Sequence, residues 1–272
     1  MTAAAATAKL NLALVVGPMR TDGKHEVTTV LQRLALSDRV ELEPAPQLRV
    51  DGFADDTLVR DALAALADAA GVAPRWRARI AKRVPVAAGL GGGSSDAATA
   101  LRLANASLDE PLGPDRLHEL ARRLGADVPF FLRHGPQLGE GDGSELAALD
   151  LPQDYFVVLV VPHGVTKAGT AAVYAGFDAR GGPDGYEERR AKLLETLARI
   201  ERARDLAALP RNDLASSPLA AELCDRGAFR ADVTGAGPTV YGLFLHHADA
   251  AEARHALRRR GRTWLTAPAW YG

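Results

Sequence analysis

Apolar and polar residues alternate along several short stretches of the chain, a pattern that predicts half-buried β-strands. The stretch 155–161 (YFVVLVV) is apolar throughout, which predicts a central strand buried on both faces. Two further strands are predicted between Ala231 and Phe244, on either side of a Gly-Ala-Gly turn. The alternating stretches are residues 9–16, 39–43, 47–50 and 75–84.

Other segments carry apolar residues at helical spacing, most clearly the alanine-rich stretch 57–70. Residues 25–36 are mixed and predict neither element, and the polar segment 178–190 is predicted to be a surface excursion or a subdomain boundary. Helices and strands are interspersed without a regular βαβ rhythm, so the predicted fold class is α+β. The further predicted helices are residues 97–105, 114–124, around 186–208, 213–226 and 247–260.

Composition narrows the possible functions. A chain of 272 residues is long enough for one large domain or two closely joined ones. Its net charge of −1 argues against a nucleic-acid partner, which usually requires a basic surface. The single cysteine, Cys224, excludes an intrachain disulfide and indicates a reducing compartment. Because no apolar run approaches the roughly 20 residues of a membrane span, we expect a cytoplasmic protein without membrane contact.

A glycine-rich turn is the strongest chemical signal in the sequence. Four of the five residues from Gly89 to Gly93 are glycine, and Ser94 and Ser95 lead into a helix. Successive backbone N–H groups at a helix N-terminus bind phosphate well, and glycine lets a ligand approach them closely. The alternative is a flexible loop with a serine helix cap. Neither the lysine of a Walker A loop nor the spacing of a dinucleotide-binding fingerprint is present.

Four motifs, in their order along the chain, resemble those of the GHMP kinases. This superfamily includes galactokinase, homoserine kinase, mevalonate kinase and phosphomevalonate kinase. Residues 85–95 (PVAAGLGGGSS) resemble the phosphate loop of that family. Residues 8–12 (AKLNL), with a following Asp-Gly-x-His-Glu segment, resemble its first motif. Residues 124–131 (LGADVPFF) resemble its catalytic motif, and residues 234–240 (TGAGPTV) its third motif.

The resemblance implies a fold and a reaction. The fold would be the two-lobed GHMP kinase fold, with an N-terminal lobe (1–150) like ribosomal protein S5 domain 2 and a ferredoxin-like C-terminal lobe (151–272). The order and spacing are most similar to the branch that uses ATP and Mg²⁺ to phosphorylate the 2-hydroxyl of 4-diphosphocytidyl-2-C-methyl-D-erythritol (CDP-methylerythritol), in the non-mevalonate isoprenoid pathway. The active site would lie between the lobes, and we expect a monomer or weak homodimer.

The resemblance also implies roles for individual residues. Asp127 would be the catalytic base and Lys9 the partner that keeps it ionised. Ser95 and Asp96 are candidate Mg²⁺ ligands. The implied ATP-binding residues are Pro85, Val86, Ala87, Ala88, Gly89, Leu90, Gly91, Gly92, Gly93, Ser94 and Ser95. The implied substrate-binding residues are Asn11, Lys24, His25, Thr170, Tyr174, Gly235, Ala236 and Gly237.

Taken singly, these residues have ordinary structural explanations. An aspartate after Gly-Ala, such as Asp127, is often a turn residue or helix cap, and a lone strand lysine is usually solvated. Tyr174 could equally stack on a nucleobase or pack in a core. Where the family usually has an aromatic residue before the histidine, this chain has Lys24. Two alternatives therefore stay open: a GHMP kinase with another alcohol acceptor, or a catalytically silent nucleotide-binding module.

Overall fold

The structure, a computed structural model, describes residues 1–53, 57–165 and 169–269. Its first half contains a six-stranded sheet in the order β3-β4-β2-β5-β6, with β1 also paired to β2. All neighbours are antiparallel except β3 and β4. The strands are β1 (Thr2–Met19), β2 (His25–Pro44), β3 (Arg49–Asp51), β4 (Trp76–Ala81), β5 (Gln137–Glu140) and β6 (Glu145–Ala148).

Three α-helices accompany this sheet: α1 (Thr57–Ala70), α2 (Gly92–Asn105) and α3 (Pro114–Leu124). Helix α1 buries Val59, Ala62, Leu63, Leu66 and Ala67, one stripe at helical spacing that packs in the core with residues of α2. A short 3-10 helix (Pro129–Leu132) follows α3. The helices predicted at 57–70 and 114–124 are confirmed at both ends, because their apolar stripes stand out clearly from the flanking residues.

The second sheet is antiparallel and has the order β10-β7-β9-β8, which places the last strand beside the first. Its strands are β7 (Phe156–Pro162), β8 (Arg230–Val233), β9 (Val240–Phe244) and β10 (Gly261–Thr266). The helices here are α4 (Thr170–Ala179), α5 (Tyr186–Leu197), α6 (Pro218–Asp225) and α7 (His247–Ala256), with 3-10 turns at 203–208 and 257–259. Strand β7 is central and largely buried, as predicted, and the α+β class is confirmed.

Some elements differ from the predictions. Residues 25–36 belong to β2. The first ten residues of this strand are almost all buried, so polar and apolar positions do not alternate there. The helix predicted from residue 213 begins only at Pro218, where the Ser217 hydroxyl accepts a hydrogen bond from the Leu219 N–H. The segment 178–190 is not only a surface excursion, since Tyr186 is buried and bonds to Thr28.

The two sheets meet along β1. One edge of β1 pairs with β2, and the other edge is held by residues that follow in the second half of the chain. The Asn11 N–H donates to Thr234 Oγ1 (3.0 Å), and the Val16 N–H donates to Asp213 Oδ2 (2.9 Å). Leu10 and Leu12 pack in one core cluster with residues of β7 and β9. The division of lobes at residue 150 stays a prediction.

None of the helices within the described ranges is long and apolar enough to cross a bilayer.

Candidate active site

A cavity of about 590 Å³ opens where the two sheets meet. The glycine-rich turn and the start of α2 form one wall, and the side chains of β1 form another. The third-motif turn and the start of α4 complete it. The predicted site residues that line the cavity are Lys9, Asn11, Pro85, Val86, Ala87, Ala88, Gly89, Leu90, Gly91, Gly92, Gly93, Ser94, Asp127, Thr170, Tyr174, Gly235 and Ala236.

The glycine-rich turn has the geometry of an anion cradle. Gly91 has a left-handed backbone (φ +69°) and stands at the N-cap of α2, where it offers no side chain to the helix. The Ser95 N–H makes the first helical bond, to the Gly91 carbonyl (2.9 Å). The N–H groups of Gly92, Gly93 and Ser94 are therefore the orphan donors of the helix N-terminus, and all three residues line the cavity. Such donors and the helix dipole favour phosphate.

The third-motif turn presses against the glycine-rich turn. A Cβ added at Gly89 would lie 2.8 Å from the Gly237 carbonyl oxygen and 3.0 Å from that of Thr234. The Thr239 hydroxyl donates to the Ala88 carbonyl (2.6 Å). Gly237 thus lies behind the cavity wall, and the Thr239 hydrogen bond ties its turn to the glycine-rich turn.

Lys9 and Asp127 come together on the floor of the cavity. Lys9 Nζ is 3.6 Å from Asp127 Oδ2, although the two residues are 118 positions apart. The Lys9 side chain is 5% exposed and the Asp127 side chain is 46% exposed. A buried lysine requires a partner, so the alternative that Lys9 is a solvated strand lysine is wrong. The carboxylate of Asp127 is left accessible from the cavity.

A chain of polar side chains fixes the position of the Lys9 ammonium. Lys9 Nζ donates to Asn11 Oδ1 (2.7 Å), and Asn11 Nδ2 donates to Thr29 Oγ1 (2.8 Å). The Thr29 hydroxyl donates to the Ala13 carbonyl (2.8 Å), and Thr234 Oγ1 lies 3.3 Å from Asn11 Oδ1. Asn11 is only 6% exposed, so it orients Lys9 in addition to lining the cavity.

Arg33 supports the segment that carries Asp127, and nothing in the sequence pattern singled it out. Its guanidinium donates to the Phe130 carbonyl (3.3 Å) and to the Arg133 carbonyl at either end of the 3-10 helix. It also lies over the ring of Phe131, 5.7 Å from the centroid. Burial, with a smaller contribution from Arg102, lowers the pKa of Arg33 to about 10.

The two residues predicted as Mg²⁺ ligands do not lie in the cavity wall. Ser95 is 1% exposed and Asp96 is fully buried. Asp96 Oδ2 accepts from Lys82 Nζ (2.7 Å), which also donates to Asp38 Oδ2 (2.6 Å). Burial disfavours the charged lysine, but the two carboxylates outweigh it and raise the pKa of Lys82. This ion-pair triad ties α2 to β2, and its geometry does not fit direct binding of a metal by Asp96.

The end of the cavity beside Tyr174 has a different polar arrangement from the one predicted. The rings of His25 and Tyr174 stack with centroids 4.7 Å apart and a tilt of 35°, and His25 Nε2 bonds to Asp178 Oδ1 (2.8 Å). Burial, with a smaller contribution from the charge of Asp127, raises the pKa of Tyr174 to about 12. Tyr174 is therefore both a core aromatic and a cavity residue. Lys24 points to Asp142, with its Nζ 2.5 Å from Asp142 Oδ2.

Asp142 is a cavity residue that the motif analysis did not single out. Burial alone would raise its pKa, but hydrogen bonds from Lys24 and Ser144 prevail and lower the pKa of Asp142 to about 2. Lys24 therefore acts at this end of the cavity through Asp142, which it holds as a carboxylate.

Comparison with known proteins shows which family the chain belongs to. Residues 57–135 match the model of the GHMP kinase N-terminal domain, and residues 191–263 match the model of the GHMP kinase C-terminal region. The chain is 38% identical to a 4-diphosphocytidyl-2-C-methyl-D-erythritol kinase of Geobacter sulfurreducens, over 96% of each chain. The chain belongs to the GHMP kinase family. The predicted GHMP fold and the prediction of an ATP-dependent small-molecule kinase are thereby confirmed.

Solved structures agree with this membership. A crystal structure of a 4-(cytidine 5'-diphospho)-2C-methyl-D-erythritol kinase matches this GHMP kinase with a TM-score of 0.81 and 33% identity, over 98% of this chain and 99% of the other. The mevalonate kinase of Methanococcus jannaschii matches with a TM-score of 0.74 at 14% identity, over 98% of each chain. At that identity the second match shows the shared fold alone.

Proposed function

We propose that this GHMP kinase transfers the γ-phosphoryl group of ATP to the 2-hydroxyl of CDP-methylerythritol, a step of the non-mevalonate pathway to isoprenoid precursors. The observation that carries the proposal is the accessible carboxylate of Asp127, held 3.6 Å from the buried ammonium of Lys9 in the cavity that the glycine-rich turn lines. The relatives at 34–38% identity carry the name of this activity, which supports the choice of acceptor.

In this proposal the glycine-rich turn binds the triphosphate through its backbone. The free N–H groups at the start of α2 point their partial positive charge at the phosphate oxygens, and glycine leaves room for close approach. Because Lys82 is neutralised by Asp38 and Asp96, it acts as a structural support and not as the phosphate's counter-charge. Positioning and charge stabilisation are most of what a phosphoryl transfer requires.

Asp127 accepts the proton of the attacking alcohol. A tertiary alcohol is a weak nucleophile, and a positioned carboxylate removes its proton as the bond to phosphorus forms. Lys9 stabilises the negative charge on the reacting oxygens during the transfer. Asn11 holds the Lys9 ammonium at 2.7 Å, so this charge needs no rearrangement when the substrates bind.

Mg²⁺ belongs to this proposal as the partner of ATP, and its charge would neutralise the phosphate oxygens. The ion commonly keeps several waters and takes substrate phosphates with only one or two carboxylates. Among the residues that the structure describes, no group of three or more His, Cys, Asp or Glu could hold a metal ion. This observation fits an ion bound mainly through ATP, with Ser95 and Asp96 supporting the loop from behind.

The cytosine ring of the acceptor would lie against the Tyr174 ring. Tyr174 already has one face on His25, and it also lines the cavity. Lys24 cannot supply the flat ring that the family usually places before this histidine, so a nucleobase would meet one aromatic face and the polar Asp142–Lys24 pair. This difference is the specific reason to test other alcohols beside CDP-methylerythritol.

The test is an ADP-release assay of the purified enzyme with ATP, Mg²⁺ and one acceptor at a time: CDP-methylerythritol, mevalonate, homoserine or galactose. We expect turnover with CDP-methylerythritol alone. Asp127→Asn should lower kcat by about 10²–10⁴-fold, the usual contribution of a general base. The matched control is Asp109→Asn, an exposed aspartate in the turn after α2, which should keep wild-type kcat.

Two results would contradict the proposal. Turnover with another alcohol but not with CDP-methylerythritol would move the enzyme to another acceptor within the family. Equal residual ATP turnover in the wild type and in Asp127→Asn would instead favour a catalytically silent nucleotide-binding module.

We also propose that the enzyme acts in the cytoplasm as a monomer or weak homodimer, with its two lobes dividing near residue 150. The single cysteine supports the cytoplasmic location, and the step from β6 to β7 around that residue supports the division of the lobes. Native mass spectrometry at several protein concentrations tests the oligomeric state.

A further inference from the structure

Strand β1 contains a bulge directly beside the catalytic lysine network. Asn11 is paired with Leu31 and Ala13 is paired with Val30, so Leu12 is an extra residue without a partner on β2. A bulge of this kind bends a strand and redirects the side chains on either side of it. Its carbonyl group also leaves the regular ladder and needs another hydrogen-bond donor.

The bulge determines which side chains of β1 reach the cavity. Lys9 and Asn11 line the cavity at odd positions before the bulge, and Leu14 lines it at an even position after the bulge. In a regular strand, odd and even positions would stay on opposite faces. Leu10 and Leu12 meanwhile lie in the core shared with the second sheet. The site therefore depends on the extra residue staying at position 12.

Two side chains of the second sheet hold the Leu12 carbonyl. Arg230 Nη2 donates to it at 2.7 Å, and the Tyr241 hydroxyl donates to it at 3.1 Å. Arg230 is 5% exposed and Tyr241 is fully buried. Arg230 Nε also donates to the Tyr241 oxygen (3.2 Å), so the two donors form one unit.

Arg230 is itself fixed from several sides, which makes it a rigid support. Asp232 lies 3.7 Å from its Nη2 and supplies the opposite charge. The planar fork of an arginine can bond several carbonyls at once in a fixed geometry, which a lysine cannot do. Besides Leu12, the guanidinium donates to the carbonyls of Leu206, Ala207, Leu209 and Pro210.

We propose that Arg230 and Tyr241 are positioning residues for the phosphoryl transfer: by capping the Leu12 carbonyl they keep the bulge in place and thereby aim Asn11 and Lys9 at Asp127. Neither side chain touches the cavity. Their effect passes through the backbone of β1, whose residue 11 also bonds to Thr234. The catalytic lysine of the first half of the chain is thus set by the second half. This inference rests on the proposed function only for its kinetic readout.

The chain offers a matched pair of variants to test it. Tyr241→Phe removes the hydroxyl that donates to the Leu12 carbonyl and accepts from Arg230 Nε, and it leaves the ring in place. Tyr155→Phe removes a second buried tyrosine hydroxyl from the same core cluster, and within the described residues that hydroxyl has no hydrogen-bond partner. Both variants are then compared with the wild type by thermal unfolding and by steady-state kinetics in which ATP is varied at saturating CDP-methylerythritol.

We expect Tyr241→Phe to lower kcat about tenfold, because small misplacements of catalytic groups are costly in rate. KM for ATP should stay within about twofold, since the phosphate loop is untouched. Tyr155→Phe should keep wild-type kcat. A kcat ratio of the two variants below about three, or a loss fully explained by the unfolded fraction, would overturn the proposal.

A second readout does not require turnover. The side-chain amide of Asn11 and its backbone N–H should shift in ¹H–¹⁵N spectra of Tyr241→Phe and of Arg230→Lys, and should not shift in Tyr155→Phe. Unchanged Asn11 signals in both of the first two variants would overturn the positioning role. If the wild type fails to phosphorylate CDP-methylerythritol while the Asn11 signals shift as expected, the proposed acceptor is wrong and the positioning role holds.

Discussion

The left-handed backbone at Gly91 allows a sharp test of the phosphate-loop geometry. An ideal Cβ at this position would lie 2.9 Å from Lys9 Cγ and 2.9 Å from Phe131 Cζ. The Phe131 ring is buried and cannot move freely. Two residues further on, Gly93 has no atom within 4 Å of its ideal Cβ and lies inside helix α2. Alanine substitutions at the two glycines should therefore have opposite effects on stability.

The magnitude for Gly91→Ala has three parts. A left-handed backbone costs a non-glycine residue about 1–2 kcal/mol. An inserted methyl group in a packed site costs about 1–3 kcal/mol. The reduced freedom of the unfolded chain returns about 0.4–1 kcal/mol. We expect the free energy of unfolding to fall by about 1–5 kcal/mol. Gly93→Ala should raise it by up to about 1 kcal/mol, because alanine forms helices better than glycine.

The assay is urea unfolding of both variants without ligand, followed by far-UV circular dichroism at neutral pH. Because Gly91→Ala also pushes on Lys9, its kcat should fall with its stability. The reasoning would be refuted if Gly91→Ala were as stable as the wild type within the roughly 10–15% uncertainty of linear extrapolation. It would also be refuted if Gly93→Ala lost as much stability as Gly91→Ala.

Two further predictions concern ion pairs. Lys82→Met leaves the buried carboxylates of Asp38 and Asp96 without their cation, so the free energy of unfolding should fall by about 3–5 kcal/mol. The control Lys192→Met, at an exposed lysine, should change this free energy little. Equal values for the two variants in urea unfolding would contradict the role of the triad. Since the pKa of Lys82 is raised, its contribution should persist through neutral pH and be lost only as the pH rises above about 10.5. The pKa of Asp142 is lowered from 3.8 to about 2. The stability difference between the wild type and Asp142→Asn should therefore be constant above about pH 4 and shrink as the pH falls through about 2. A difference that does not change with pH in unfolding experiments would count against the Lys24–Asp142 pair.

Local patterns predicted the elements whose environment is uniform along their length. Helix α1 presents one apolar stripe to the core and β7 is buried in the middle of its sheet, so both are visible in the sequence. The site was predictable for a different reason. The glycine-rich turn and the segment that carries Asp127 are short motifs, and the chemistry proposed for them requires their residue types at fixed spacing.

Interactions between distant residues could not be predicted in this way. Lys82 meets Asp38 across 44 positions, and no local pattern marks either residue as buried. The hairpin of β5 and β6 consists of two four-residue strands around Gly141 and Gly143, too short for alternation to be recognised. Asp142 enters the cavity only because this hairpin folds beside β2.

The position of β1 is the reason to expect that residues outside the cavity affect the geometry of the proposed active site. The Lys9 N–H donates to the Leu90 carbonyl of the glycine-rich turn at 3.0 Å, so the strand that carries Lys9 is bonded directly to that turn. Further along the same edge, Thr234 and Asp213 bind it from the second half of the chain. An edge strand normally leaves its N–H and C=O groups free, whereas here these bonds connect β1 to the glycine-rich turn and to the second half of the chain. A displacement of either sheet therefore moves Lys9 relative to Asp127, and folding stability and catalytic geometry share the same hydrogen bonds.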